Sequence, residues 1–191
     1  MPDYSLYIRN MVCPRCIKVI TEELQQLGQP VLEVRLGEAK LAAAPTEEAM
    51  QNIRQAFLDN GFELLEDKKA ETVEAIKLAI IDLVQSGRIE ELNTNISQYL
   101  EEEVGRDYNY LSSLFSAEEQ ITIARYVVLQ KVERAKELLA YNELSLSQIA
   151  FQLGYSSVAH LSNQFKQVTG LTPTDFKKNS SPSRKPLDQV K

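Results

Sequence analysis

A chain of 191 residues with 43% hydrophobic side chains is long enough for one or two cores, so two small domains are expected. No apolar run approaches the roughly 20 residues needed to span a bilayer, and no apolar leader follows Met1, which points away from a membrane and towards the cytoplasm. A net charge of −6 argues against a generic nucleic-acid binder, because phosphate neutralisation supplies most of such affinity. The charge is unevenly placed: residues 71–124 hold 3 Lys/Arg against 11 Asp/Glu, whereas residues 125–191 hold 10 against 5.

Tyr4 to Ile8 alternates as a strand, with Tyr4, Leu6 and Ile8 on one face. The loop Asn10-Met11-Val12-Cys13-Pro14-Arg15-Cys16 follows. Ile17, Ile20, Leu24 and Leu27 then form a helical stripe, so Cys13 is expected in the loop and Cys16 in the first helical turn. Val31 to Leu36 and Ala39 to Ala43 read as a hairpin across Gly37 and Glu38. Thr46 is suited to cap a helix carrying Ile53, Ala56 and Phe57, and Phe62 to Leu65 closes the set as a short strand. The order βαββαβ is a ferredoxin-like pattern over residues 1–67.

This part resembles the heavy-metal-associated domains of copper chaperones and metal-transporting ATPases, which carry a GMTCxxC loop at the same place. Asn10 stands where that family has glycine and Val12 where it has threonine. The resemblance makes Cys13 and Cys16 candidate metal ligands. Chemically, two thiolates two residues apart suit a soft ion, Cu(I) or Zn(II). Zinc calls for about four ligands and no histidine lies nearby, so Cu(I), or a site shared between two molecules, fits better. The helix N-terminus with Arg15 and Lys18 would lower the thiol pKa, which favours oxidation as well as metal binding. The pair is therefore open to metal, to redox chemistry and to neither.

Residues 68–88 are expected as a connector helix with Val73, Ile76, Ile80, Leu83 and Val84 in a stripe and Glu71, Glu74, Lys77 and Asp82 opposite. The stripe must be buried, either within the chain or in a homodimer. Ile96, Tyr99, Leu100 and Val104 before Gly105, then Tyr108, Leu111, Leu114 and Phe115, read as two helices across a turn. A long helix from about Thr122 to Tyr141 follows. Ser145 caps a short helix carrying Leu146, Ile149, Ala150 and Leu153, which Gly154 stops. Ser156 or Ser157 caps the next, whose Val158, Leu161, Phe165 and Val168 face inward. Gly170 ends it, and Pro173 and Phe176 suit a last helix.

Residues 89–178 resemble the paired helix-turn-helix modules of the AraC/XylS family of bacterial transcription regulators. The match rests on Ile149, Ala150, Gly154, Tyr155, Ser157, Phe165, Lys166, Gly170, Thr172, Pro173 and Phe176, and on Tyr110 to Phe115 and Val132 to Leu139 upstream. The fold class expected is α+β, a ferredoxin-like domain followed by an all-α domain. The resemblance implies double-stranded DNA as partner and two recognition helices, with Asn109, Ser112 and Ser113 on the first and Ser157, Ala159, His160, Asn163 and Lys166 on the second. Family recognition helices often carry arginine where this chain has Ser113 and Asn163. A bidentate contact to a base is worth roughly 1–3 kcal/mol, so the first module is expected to read weakly and the second to dominate. The tail from Asn179 to Lys191 is expected to be disordered.

Two functions of different classes follow. One is a DNA-binding regulator controlled through Cys13 and Cys16. The other is a metal-carrying or thiol-exchange protein whose helical half docks on a protein partner. An enzyme is not expected: the single histidine, His160, has no nucleophile or carboxylate beside it in a known arrangement, and no phosphate loop occurs.

Overall fold

In a computed structural model of the chain, residues 4–90, 92, 95–178 and 186–190 are described. They divide into two compact units, Met1–Leu78 and Ala79–Lys191.

The first unit runs β1 (Tyr4–Arg9), α1 (Pro14–Gln26), β2 (Val31–Arg35), β3 (Glu38–Leu41), α2 (Glu47–Asp59) and β4 (Glu63–Leu65), and then enters α3 (Lys68–Gln85). The strands form one sheet in the order β2-β3-β1-β4, antiparallel throughout. Alternation along β1 puts Leu6 and Ile8 on one face with Ala39 and Leu41 of β3 beside them. Ile20 and Leu24 of α1 and Ile53 and Phe57 of α2 close over that face, and all of these side chains are buried. Thr46 caps α2 as expected, its hydroxyl accepting from the Ala49 N–H.

The division between the units falls inside α3, so the stretch read as a connector contributes to both. Val73, Ile76, Ile80, Leu83 and Val84 are all buried within the single chain. The stripe therefore makes no demand for a second copy. Glu74, expected on the solvent face, is buried instead, because its carboxylate accepts a hydrogen bond from the Asn10 N–H at 3.0 Å.

The second unit continues with α4 (Ile96–Val104), α5 (Tyr108–Glu119), α6 (Ile123–Tyr141), α7 (Leu146–Gln152), α8 (Val158–Thr169) and α9 (Pro173–Lys178). Most of these helices begin where a side-chain oxygen accepts from the first turn: Asn95 for α4, Asp107 for α5, Thr122 for α6, Ser145 for α7 and Ser157 for α8. Ser145 and Gln148 complete a reciprocal capping box. The centre is α6, whose Tyr126 packs on Phe115 of α5 with ring centroids 5.4 Å apart. Phe165 of α8, fully buried, meets Phe176 of α9 edge-on at 5.3 Å.

The expected disordered tail needs correction over its described part. Residues 179–185 and 191 lie outside the described residues, but Leu187–Gln189 forms a 3-10 turn. Val190 is buried, and the Leu187 carbonyl accepts from Gln130 Nε2 at 3.4 Å. The reason is local: an apolar Leu and Val in an otherwise polar tail have core to cover.

Candidate nucleic-acid interface and CxxC loop

Two helix pairs repeat one plan in the second unit. In each, a short helix leads through a turn to a longer one whose inner side is buried: α4 to α5 through Leu111, Leu114 and Phe115, and α7 to α8 through Leu161 and Phe165. The second turn is tight because Gly154 adopts φ +63°, and a Cβ built there would fall 3.2 Å from the Ile89 carbonyl oxygen. Both features favour glycine.

On α8 the outward side chains are Ala159, His160, Asn163, Lys166 and Gln167, all exposed. At ~100° per residue, Asn163 points away from the buried Leu161 and Phe165, with Ala159 close beside it. Ser157, by contrast, is exposed but committed, since its hydroxyl accepts from the His160 N–H at 3.1 Å as the cap of α8. Gln167, one turn beyond Asn163, shares the same outward face. Its i, i+4 spacing from Asn163 is the signal in the sequence that marks it.

On α5, Asn109 and Ser113 are exposed and Ser112 is half-buried, with Tyr110 also outward. The acidic residues beside this helix are less hostile than the sequence implies. Asp107 Oδ1 accepts from the N–H groups of Asn109 at 2.9 Å and Tyr110 at 3.3 Å, and Glu101 Oε1 accepts from that of Tyr108 at 2.8 Å. Their charge is thus partly spent on the positive helix N-terminus. Glu118 lies ~14 Å from Asn109 along α5, at ~1.5 Å per residue. That exceeds the ~8 Å screening length at physiological salt.

Tyr155, at the turn before α8, is buried, and burial pushes its phenol up to about 12. Lys131 Nζ sits 4.9 Å over its ring, and burial pulls that ammonium down from the usual lysine range. The His160 ring stands edge-on to Tyr155 with centroids 5.2 Å apart, and His160 Nδ1 lies 3.3 Å from Ser156 Oγ.

In the first unit, Cys13 is the N-cap of α1 and Cys16 lies in its first turn, as expected. Both are half-buried free thiols with their sulfurs 3.3 Å apart. That spacing is wider than the ~2.05 Å of a disulfide. It is narrower than the ~3.8 Å of two thiolates each ~2.3 Å from a tetrahedral ion. Partial burial raises the Cys13 thiol, but hydrogen bonding from Cys16 and from the Cys16 and Arg15 N–H groups, with the Arg15 charge, outweighs it and leaves Cys13 lowered. Burial and the hydrogen bond to Cys13 push Cys16 the other way. No group of three or more His, Cys, Asp or Glu residues able to hold a metal occurs among the described residues.

Asparagine at position 10 is explained by conformation. Asn10 adopts φ +72°, the left-handed region that asparagine tolerates best after glycine. Its side chain adds a hydrogen bond from Nδ2 to the Gly61 carbonyl at 3.1 Å, while its own carbonyl faces Cys16 Sγ at 3.9 Å. Glu74, which holds the Asn10 N–H, was beyond sequence reasoning, since 64 residues separate the partners and no local pattern links them.

No helix among the described residues is long and apolar enough to cross a membrane. Residues 100–179 match the family described as a helix-turn-helix domain. The chain is 25% identical over 138 residues to the probable transcriptional regulator LumQ of Photobacterium leiognathi, covering 68% of this chain and 50% of LumQ. It is 30% identical over 70 residues to the uncharacterized HTH-type transcriptional regulator YdiP of Escherichia coli, covering 37% of this chain and 23% of YdiP. The chain thus spans half or less of the length of these curated relatives. Among solved structures, the C-terminal domain of AraT, a response regulator from Geobacillus stearothermophilus, shares the fold at a TM-score of 0.50 and 21% identity, over 61% of this chain and 92% of that one. Over residues 100–179 the chain is therefore similar to helix-turn-helix domains.

Proposed function

We propose that the chain is a sequence-specific, DNA-binding transcriptional regulator of AraC type, controlled through Cys13 and Cys16 by a soft metal ion or by thiol oxidation. The observation that carries the DNA reading is the outward face of α8, where Ala159, Asn163, Lys166 and Gln167 stand exposed on a helix otherwise anchored by Leu161 and Phe165. A small, neutral and basic surface of this kind fits the floor and walls of a major groove. The second module dominates, because Lys166, Lys177 and Lys178 supply cations that α5 lacks; the first adds neutral contacts through Asn109, Ser112 and Ser113.

The first unit is read as a ferredoxin-like, heavy-metal-associated-like domain, supported by the β2-β3-β1-β4 order and by the two thiols opening α1. Cys13 and Cys16 suit Cu(I) better than Zn(II), since two sulfurs meet the needs of a soft ion and a tetrahedral zinc site would lack half its ligands. Cys13 and Cys16 would hold such an ion, and holding it would fix the start of α1.

The test is selection of genomic fragments by the purified chain, with and without Cu(I) and with and without reductant. Enrichment of a common sequence is expected, with the enriched amount changing with metal or reductant. No enrichment under any condition removes the regulator reading. Retention of Cu(I) without salt-dependent DNA affinity favours the metal-carrying, protein-docking alternative.

A further inference from the structure

The three-residue arrangement at the start of α8 assigns His160 a more specific part than exposure to solvent. Each ring nitrogen of a histidine can pair separately. In His160, Nδ1 faces Ser156 Oγ at 3.3 Å and the ring is braced edge-on by the buried Tyr155. Among the described residues Nε2 has no partner, and the side chain is exposed.

The direction follows from helix geometry. With ~100° per residue, His160 and Lys166 lie about 60° to either side of Asn163. If Asn163 faces the groove floor, those two face opposite walls, which are lines of phosphate. Lys166 meets one wall as a cation. His160 meets the other.

We propose that His160 is a DNA-phosphate contact through Nε2–H, with Ser156 and Tyr155 as its positioning residues; this rests on the DNA-binding reading above. The serine hydroxyl keeps the outward nitrogen a donor whichever charge the ring carries. With neutral imidazole, Ser156 donates to Nδ1 and the proton stays on Nε2. With imidazolium, Nδ1–H donates to Ser156 and Nε2 still carries its proton. In both states the outward nitrogen is a donor, which is what a phosphate oxygen, an acceptor only, requires.

The test uses the full chain, a duplex selected by it from a random pool, and a scrambled duplex of equal length, with affinities read by fluorescence anisotropy. His160→Ala should weaken binding about tenfold on both duplexes, since a phosphate contact carries no sequence information. Ser156→Ala should weaken both by a smaller factor, Ser156→Thr should restore the affinity, and Ser156→Ala should have no effect once His160 is alanine. Both positions are exposed, and matching melting curves confirm that the variants fold. Unchanged affinity of His160→Ala, or a Ser156→Ala loss that persists without His160, overturns the assignment. A loss confined to the selected duplex makes His160 a base reader and also overturns it. Failure of the unmodified chain to bind either duplex overturns both this assignment and the DNA-binding reading, and so is told apart from the other failures.

Discussion

Gly154 sets the angle at which the chain enters α8, so replacing it tests whether that turn is as tightly constrained as its geometry implies. Two costs apply to Gly154→Ala. An L residue in the left-handed region costs about 1–2 kcal/mol, of which the stiffer unfolded chain returns about 0.4–1. The new Cβ would also stand 3.2 Å from the Ile89 carbonyl oxygen, tighter than ordinary contact, and backbone cannot swing aside as a side chain can. Overpacking of this kind costs about 1–3 kcal/mol. Gly170 is the internal control: its φ is +79° but nothing lies within 4 Å of its Cβ position. Gly170→Ala is therefore expected to lose about 1 kcal/mol and Gly154→Ala about 2–3 kcal/mol. Asparagine separates the two costs further, because it tolerates the left-handed region yet still carries a Cβ. Gly170→Asn should come close to the unmodified chain and Gly154→Asn should not. Urea unfolding followed by helical circular dichroism measures all four. Equal losses at the two glycines, or full recovery by Gly154→Asn, would refute the argument from close approach.

On selected duplex DNA, Asn163→Ala should cost roughly tenfold or more in affinity, from about 1–3 kcal/mol per lost base contact, and Ser113→Ala much less; equal losses in binding assays would contradict the dominance of the second module. Cysteine labelling should be asymmetric: as pH rises, the lowered Cys13 thiol ionises first, so iodoacetamide modifies it at lower pH than Cys16, and mass spectrometry showing the reverse order would refute the assignment. Tyr155 ionises in the folded chain only at about 12, whereas it would do so near 10 when unfolded. Between those values the unfolded state binds fewer protons, so this residue's contribution to stability falls as pH rises. Tyr155→Phe should flatten that part of the stability profile, and an unchanged slope would count against it. At the CxxC loop, Asn10→Gly should be nearly neutral, exchanging a hydrogen bond for an easier backbone, while Asn10→Val should lose about 1–3 kcal/mol in urea unfolding.

The helices of the second unit were legible because their punctuation is local. Ser145 and Ser157 cap where their types and the following apolar spacing place them, and Gly154 and Gly170 stop helices for conformational reasons visible in the residue itself. The strands were legible to within a residue or two, their alternation marking the faces but not the ends. What escaped was long-range or three-dimensional. Glu74 looked solvent-facing on a helical wheel, yet the Asn10 N–H turned it inward. The fit of Asn10 to a left-handed backbone position also escaped, because the sequence does not show φ. The bracing of His160 by Tyr155 and Ser156 required coordinates, since sequence shows proximity but not ring orientation. Val190 escaped because composition averages over a tail in which two apolar residues decide the outcome.

The most direct test of the central claim is the salt dependence of DNA binding by the full chain and by Lys166→Ala. Each phosphate neutralised contributes about 0.9 to the slope of log affinity against log salt. The account predicts a clear negative slope for the unmodified chain on its selected duplex, reduced by about one in Lys166→Ala while sequence preference is kept. A slope that does not change on removing Lys166, or binding without salt dependence, would contradict α8 as the DNA-contacting helix.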